Sequence, residues 1–322
     1  MTSPNKPITT LTLNPALDLT VQLGELQPGE VNLAHDGNLR PAGKGINVAM
    51  VLSDLGNQVT VSGILGQENR AAFDELFHER GFDNRFIYEA GSTRVNVKLS
   101  ETGGRVTDIN LPGIIVSDDT KAALNQQLEA LEAGSDVFVL SGSLPRGLAA
   151  DTYHHLINTL HQAGKRVVLD TSGKALMAAV SAAPWLIKPN VEELEQWAGR
   201  ELPEQQDQEQ AVREMLKQGI THVVLSDGEK GVRWYSREGA WQAISPKIDV
   251  VSTVGAGDSL VAGLTHGLVA RQAIPEVLRL ATAVAALAVN QVGVGVSDPD
   301  RLEQLQQQVS VTPLMFSLEE SV

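Results

Sequence analysis

The stretch "VGAGDS" puts Gly255, Ala256, Gly257 and Asp258 between the run "IDVVSTV", which reads as a strand, and "SLVAGLTHGLVA", which reads as a helix. The free N–H groups of Gly255, Ala256 and Gly257 would converge at that helix start, where the dipole adds to their attraction for negative charge. The plain alternative is a tight turn capped by Asp258, and a lone G-x-G-D fits it equally well. The chemical reading seats a transferring phosphoryl group in the backbone nest. Asp258 then stands on the other side of the reaction, where it takes the proton of an attacking hydroxyl. The helix N-terminus is expected to keep Asp258 ionised at neutral pH.

Further residues could serve the same chemistry. "AGKGIN" (42–47) leads into a helix with two glycines around a lysine. It is neither a Walker A loop nor a dinucleotide fingerprint, and reads as a glycine turn or as a close backbone approach to a polyhydroxyl ligand, with Gly43 at the turn and Lys44 and Asn47 as donors. Asp18, in "NPALD" after an apolar strand, suits recognition of two sugar hydroxyls or a simple turn. In "TRVNVKL", Arg94, Asn96 and Lys98 fall on one strand face and Val95, Val97 and Leu99 on the other. In so acidic a chain those two cations and an amide make a candidate site for a phosphate monoester.

"SGSLPRG" (141–147) leaves Ser143 at the carboxyl end of a strand, where open α/β sheets bind ligands. "KPNVEE" (188–193) follows another strand and offers Lys188, Asn190 and Glu193 to a nucleotide and metal, although Glu193 could equally complement a helix dipole. "SDGEKG" (Ser226, Asp227, Gly228, Glu229, Lys230, Gly231) is a glycine turn that suits a nucleotide or a plain hairpin.

The elements that must position these residues alternate. Strands are expected at 59–65, 136–142, 166–170 and 221–226. Helices are expected at 45–55, 69–80, 118–132, 149–163 and 209–218, then across 261–290 with a break near Pro275. That alternation predicts an α/β fold with a mainly parallel central sheet covered by helices. Segments 18–39 and 93–110 read as strands with little helix and predict a small β-sheet lid. "ELPEQQDQEQ" (201–210) reads as a solvated loop and helix start. One domain is expected over 1–313, followed by an acidic tail, 314–322.

The 322 residues carry a formal net charge of −14, are 42% hydrophobic and 20% charged, and include no cysteine. Disulfides and thiolate metal sites are therefore excluded, and a cytoplasmic setting is expected. The acidic balance argues against nucleic acid and anionic membrane as partners, and no apolar run approaches the roughly 20 residues of a membrane span. The seven histidines show no metal-ligand spacing.

Each motif is weak alone, but the order "NPALD", "AGKGIN", "SGSLP", "KPNVEE", "SDGEKG", "VGAGDS" resembles the ribokinase/PfkB carbohydrate kinase family over nearly the whole chain. The resemblance implies ATP and Mg²⁺, Asp258 as the base, Gly255 to Gly257 as the anion hole, Asn190 and Glu193 as the magnesium-organising N-x-x-E motif, and Ser226 to Gly231 as the nucleotide loop. "PAGKGINVA", "GEVNLA" and "TRVNVKL" place the likeness in the branch acting on fructose 1-phosphate or tagatose 6-phosphate. Lys44, Glu30 and Asn32 depart from the pattern of members that use fructose 6-phosphate. The expected reaction is phosphorylation of the 6-hydroxyl of fructose 1-phosphate. Asp18, Gly43 and Asn47 would bind sugar hydroxyls. Lys44, Arg94 and Lys98 would hold the existing phosphate, with Asn96 and Ser143 in support. Tagatose 6-phosphate or fructose 6-phosphate as acceptor, and a sugar-phosphate binder without catalysis, are the rival readings. A homodimer joined through the lid sheets is expected.

Overall fold

Along the strand Val137–Ser141, Val137 and Val139 enter one apolar cluster while Phe138 and Leu140 enter another. A strand with period two is buried on both faces only when helices cover both. The computed structural model describes residues 6–291 and 293–318 and shows that arrangement. The main sheet runs in the order β14-β13-β12-β11-β10-β9-β8-β1-β4-β5. Its parallel part comprises β1 (Ile8–Thr12), β4 (Val59–Gly66), β5 (Asp83–Glu89), β8 (Val137–Ser141), β9 (Arg166–Asp170), β10 (Leu186–Ile187) and β11 (His222–Ser226). An antiparallel extension, β12 (Val232–Ser236), β13 (Gly239–Ile244) and β14 (Ser310–Leu314), lay outside the expected strands.

One face packs against α1 (Lys44–Asp54), α2 (Ala71–Glu79), α8 (Ala256–Val269), α9 (Ile274–Val289) and α10 (Pro299–Gln308). The other packs against α3 (Asp118–Glu132), α4 (Thr152–Gln162), α5 (Gly173–Ala179), α6 (Val191–Ala198) and α7 (Gln205–Lys217). Strand order turns back at β1, with β4 and β5 on one side and β8 to β11 on the other, which opens a crevice at the carboxyl ends of the strands.

The lid is a separate sheet in the order β3-β2-β6-β7, from β2 (Ala16–Leu23), β3 (Asp36–Ala42), β6 (Arg94–Glu101) and β7 (Val106–Asn110). Its register sets Leu39, Leu19, Val97 and Ile109 side by side on one face. Arg40, Asp18, Asn96 and Asn110 form the neighbouring row, on the opposite face.

Three local expectations are corrected. "IDVVSTV" is not a strand: 245–255 is irregular, and Val251 and Ser252 instead donate their amides to the Val289 carbonyl. "ELPEQQDQEQ" holds the expected helix start, α7 beginning at Gln205, but is not solvated throughout, because Gln208 and Glu209 are buried. The tail does not begin at 314. Leu314 pairs with Ala240, and Phe316 packs its ring 4.9 Å from Tyr235. Residues 319–322 of the expected tail lie outside the described residues.

Candidate active site

The crevice collects charge from five strand and helix ends. Asp170 closes β9 with its side chain 1% exposed. Lys44 Nζ, from the first turn of α1, lies 3.2 Å from Asp170 Oδ2, and Lys188 Nζ, just past β10, lies 3.2 Å from Oδ1. Burial alone would push Asp170 up, but the Lys188 and Lys44 ammonium groups outweigh it and hold the carboxyl below the usual range. Asp170 in turn is the main cause that raises Lys44, with Asp258 and Glu193 adding to it against the opposing effect of burial.

Asp258 occupies the first turn of α8 and does not cap it. The cap position belongs to Gly255, whose φ of 79° is left-handed and whose α-carbon sits so close to Val294 that a β-carbon would meet Cγ2 at 2.6 Å. The Asp258 side chain points inward, and its Oδ2 accepts a hydrogen bond from Asn47 Nδ2 at 2.7 Å. The carboxyl is ionised at neutral pH, as expected of it, but with little margin. Burial, with the Asp170 charge adding, pushes Asp258 up to about 6, although Lys44, Asn47 and Lys188 pull the other way. A base poised just below neutrality remains mostly ionised at pH 7 and gains driving force for taking a proton.

The rest of the glycine stretch is set for an anion. Ala256 and Gly257 begin the helix, and a β-carbon on Gly257 would stand 3.8 Å from Lys188 Nζ, so an ammonium group flanks the free amides. Gly43 caps α1 with its α-carbon against Thr12 and Pro15, which brings Lys44 and Asn47 to the crevice on the same helical turn. Ser143, past the end of β8, accepts from Asn14 Nδ2 at 3.0 Å.

On the lid, Asn96 Nδ2 donates to Asp18 Oδ1 at 2.9 Å, which joins a residue expected at the sugar hydroxyls to one expected to support the phosphate, while the buried Asn96 Oδ1 has no partner among the described residues. Arg94 is engaged by the backbone: Nη2 donates to Asn14 O at 3.1 Å, Nε to Pro15 O at 3.3 Å and Nη1 to Leu111 O at 3.4 Å. Lys98 Nζ lies 3.7 Å from Asp108 Oδ1. The structure thus places Arg94, Asn96 and Lys98 on one face but gives both cations protein partners. Arg40, passed over in the sequence, stands opposite Asp18, with Nη1 3.3 Å from where a β-carbon of Gly293 would lie.

The nucleotide and metal candidates cluster on the far side of β10. Asn190 bridges to Ser226, and Asn190 and Glu193 form a capping box at α6: Glu193 N donates to Asn190 Oδ1 at 2.7 Å and Asn190 N to Glu193 Oε2 at 2.9 Å. Glu193 Oε1 takes no hydrogen bond among the described residues. No group of three or more His, Asp or Glu among them is arranged to hold a metal unaided. That donor set fits Mg²⁺, which keeps its waters and binds one or two carboxylates together with substrate phosphates. "SDGEKG" is a hairpin turn between β11 and β12, with a single 3₁₀ turn at Gly228–Lys230. Gly231, at φ 93°, abuts the Ala243 carbonyl so tightly that a β-carbon has no room. Glu229 and Lys230 face solvent, whereas the Asp227 carboxylate turns inward toward Arg233.

A family model described as "pfkB family carbohydrate kinase" matches residues 11–301. The chain belongs to this family. Among curated pfkB-family relatives, 1-phosphofructokinase of Vibrio cholerae is 48% identical over 309 residues, covering 96% of this chain and 98% of the relative. The 1-phosphofructokinase of Escherichia coli K12 is 46% identical over 310 residues, covering 96% and 99%. Phosphofructokinase-2 from Escherichia coli, solved in complex with substrates and products, superposes with a TM-score of 0.87 at 29% identity, covering 94% of this chain and 99% of that one. Three of the motifs singled out in the sequence meet around Asp170 and Asp258, through Lys44 and Asn47 of "AGKGIN", Lys188 of "KPNVEE" and Asp258 of "VGAGDS", and Asn190 joins "KPNVEE" to Ser226 of "SDGEKG". Asp170, which holds the two lysines, was missed. Its only local signal was a carboxylate ending the strand "RVVLD", the same cue that drew attention to Asp18.

Proposed function

We propose that this pfkB-family kinase transfers the γ-phosphoryl group of ATP to the 6-hydroxyl of fructose 1-phosphate, giving fructose 1,6-bisphosphate and ADP. The observation that carries the reading is the buried Asp258, hydrogen-bonded to Asn47 and raised to about 6, in the same first helical turn as the free amides of Gly255 to Gly257. The acceptor hydroxyl lies beside Asp258 and gives it a proton as its oxygen attacks the γ-phosphorus. The bond to the β-phosphate oxygen breaks, and ADP leaves with the electron pair. Charge building on the transferred group is met by the helix amides and by Lys188.

Asp18, Gly43 and Asn47 orient the sugar. Lys44 and the lid residues Arg94, Asn96 and Lys98, with Ser143, hold its phosphate. For the cations this means exchanging present partners for the ligand: Lys98 exchanges Asp108, and Arg94 keeps its backbone anchors and offers its remaining N–H groups. Lys188, Asn190 and the Ser226–Gly231 loop receive the nucleotide. Asn190 and Glu193 would hold Mg²⁺ together with the nucleotide phosphates, and the ion would neutralise phosphate charge. The site belongs to a cytoplasmic enzyme that works as a homodimer. Its subunits meet through the apolar lid row, in which Leu39 is 49% and Ile109 51% exposed.

The test is the initial rate of ADP release with MgATP and fructose 1-phosphate, fructose 6-phosphate, tagatose 6-phosphate or no sugar. A preference in kcat/KM for fructose 1-phosphate is the expected result. Preference for a 6-phosphate would keep Asp258 as base and overturn the sugar-site assignment, and no turnover with any sugar would remove the reaction.

A further inference from the structure

Arg233 is an arginine inside the protein, with its side chain 5% exposed. Alternation along β12 turns Trp234 toward the cluster of α8 and α9 and Arg233 toward the cluster of α7. There Arg233 Nη2 donates to Gln208 Oε1 on α7 and to Asp227 Oδ2 at 3.4 Å. Gln208, 6% exposed, is fixed by donating its own Nε2 to the Leu202 carbonyl at 2.9 Å. Removing a guanidinium from water is costly, and an apolar side chain of similar volume would fill the slot at lower cost. The return on this network must lie in what it positions.

What it positions is the root of the candidate nucleotide loop. Asp227 N donates to Gly231 O at 3.0 Å, and Lys230 N donates back to Asp227 O at 2.9 Å, so Asp227 closes the turn from both sides. Gly231 is pressed on the Ala243 carbonyl at the other end of the loop. The loop is therefore pinned at one end by β13 and at the other by a carboxylate held on a buried arginine. Without that hold, the Asp227 carboxylate keeps only the exposed Lys230, at 3.7 Å, and the turn loses its buried anchor.

We propose that Arg233, acting through Asp227 and steadied by Gln208, is a positioning residue that fixes the Ser226–Gly231 loop in the shape that receives the nucleotide. The inference rests on the reading of that loop as the nucleotide site. It makes the low-complexity stretch 201–210, which runs into the first turn of α7, part of the nucleotide machinery, because Gln208 is the group that reaches the arginine.

The experiment titrates MgADP into the full-length protein by calorimetry without sugar, and measures KM for ATP and for fructose 1-phosphate separately. Arg233→Leu should raise the MgADP Kd and the ATP KM about tenfold, leaving the sugar KM within about twofold. Asp227→Asn should give the same rise, and the double variant no more than either single. Arg233→Lys, which keeps the charge and folds more readily, should restore part of the affinity, and Gln208→Leu should weaken it in the same direction by a smaller factor. A lowered Tm with unchanged nucleotide affinity in Arg233→Leu, or additive effects in the double variant, would overturn the proposal. Wild-type protein that binds no MgADP would instead overturn the reading of the loop.

Discussion

Asn47 and Asp258 are 211 positions apart, yet Asn47 Nδ2 donates to Asp258 Oδ2 at 2.7 Å inside the protein. One helix start thereby tunes the charge carried by another. Because the hydrogen bond goes to the carboxylate, it favours the ionised form and opposes the burial that raises Asp258 to about 6.

Removing the Asn47 donor has a defined sign. Asn47→Ala should move the acidic limb of the kcat/KM pH profile, expected near 6, to higher pH. If the limb stays in place while the rate falls, Asn47 only orients the sugar.

Asp170→Asn should move the same limb the other way, since the Asp170 charge is one of the causes that raise Asp258. It also leaves Lys188 buried without a carboxylate, which typically costs roughly 3–5 kcal/mol of stability. A pH profile combined with a denaturant midpoint separates the two effects, and an unmoved limb would remove Asp170 from control of the base.

Asp258→Asn should lower kcat by about 10²–10⁴-fold with sugar binding kept. Its effect on stability depends on pH. The native carboxyl titrates at about 6 against 3.8 for the ordinary group, so the protonated form is the one the fold prefers. Its stabilisation is complete below about 3.8 and is lost as pH rises through 6. The asparagine variant should therefore be more stable than wild type at pH 8, by up to about 3 kcal/mol, with the gain vanishing toward pH 4. Urea unfolding at the two pH values checks this.

His222 has the opposite sign. It is 7% exposed, with its ring between Trp185 and Trp234, and burial lowers it to about 4 from 6.5. A base depressed on folding contributes stability above its unfolded value and loses it as pH falls through the folded one. Stability should drop by about 2 kcal/mol between pH 7 and pH 5 from this residue, and His222→Phe should flatten that slope in urea midpoints. An unchanged slope would assign acid sensitivity elsewhere.

For the lid, Ile109→Asp sets a charge in the exposed apolar row of Leu39, Leu19, Val97 and Ile109. Wild type should sediment as a dimer at micromolar concentration and this variant as a monomer. A wild-type monomer, or a variant that stays dimeric, would move the interface away from the lid.

The sequence by itself carried whatever depends on neighbours along the chain. The apolar period marked β4, β8, β9 and β11, α3 was read at its observed bounds, and the polar alternation of Arg94, Asn96 and Lys98 marked a lid face. Glycines marked the starts of α1 and α8, where the backbone must turn sharply. Tertiary structure decided which charges meet. Lys44 and Asp170 are 126 residues apart and lie together only because the C-terminal end of β9 faces the start of α1 across the crevice. The same holds for the inward turn of Asp227 toward Arg233 and for the backbone carbonyls that claim Arg94. Burial then set the direction for Asp258: the loss of water around it, with the Asp170 charge adding, outweighs the pull of Lys44, Asn47 and Lys188, so the ionised state expected at neutral pH holds with little margin.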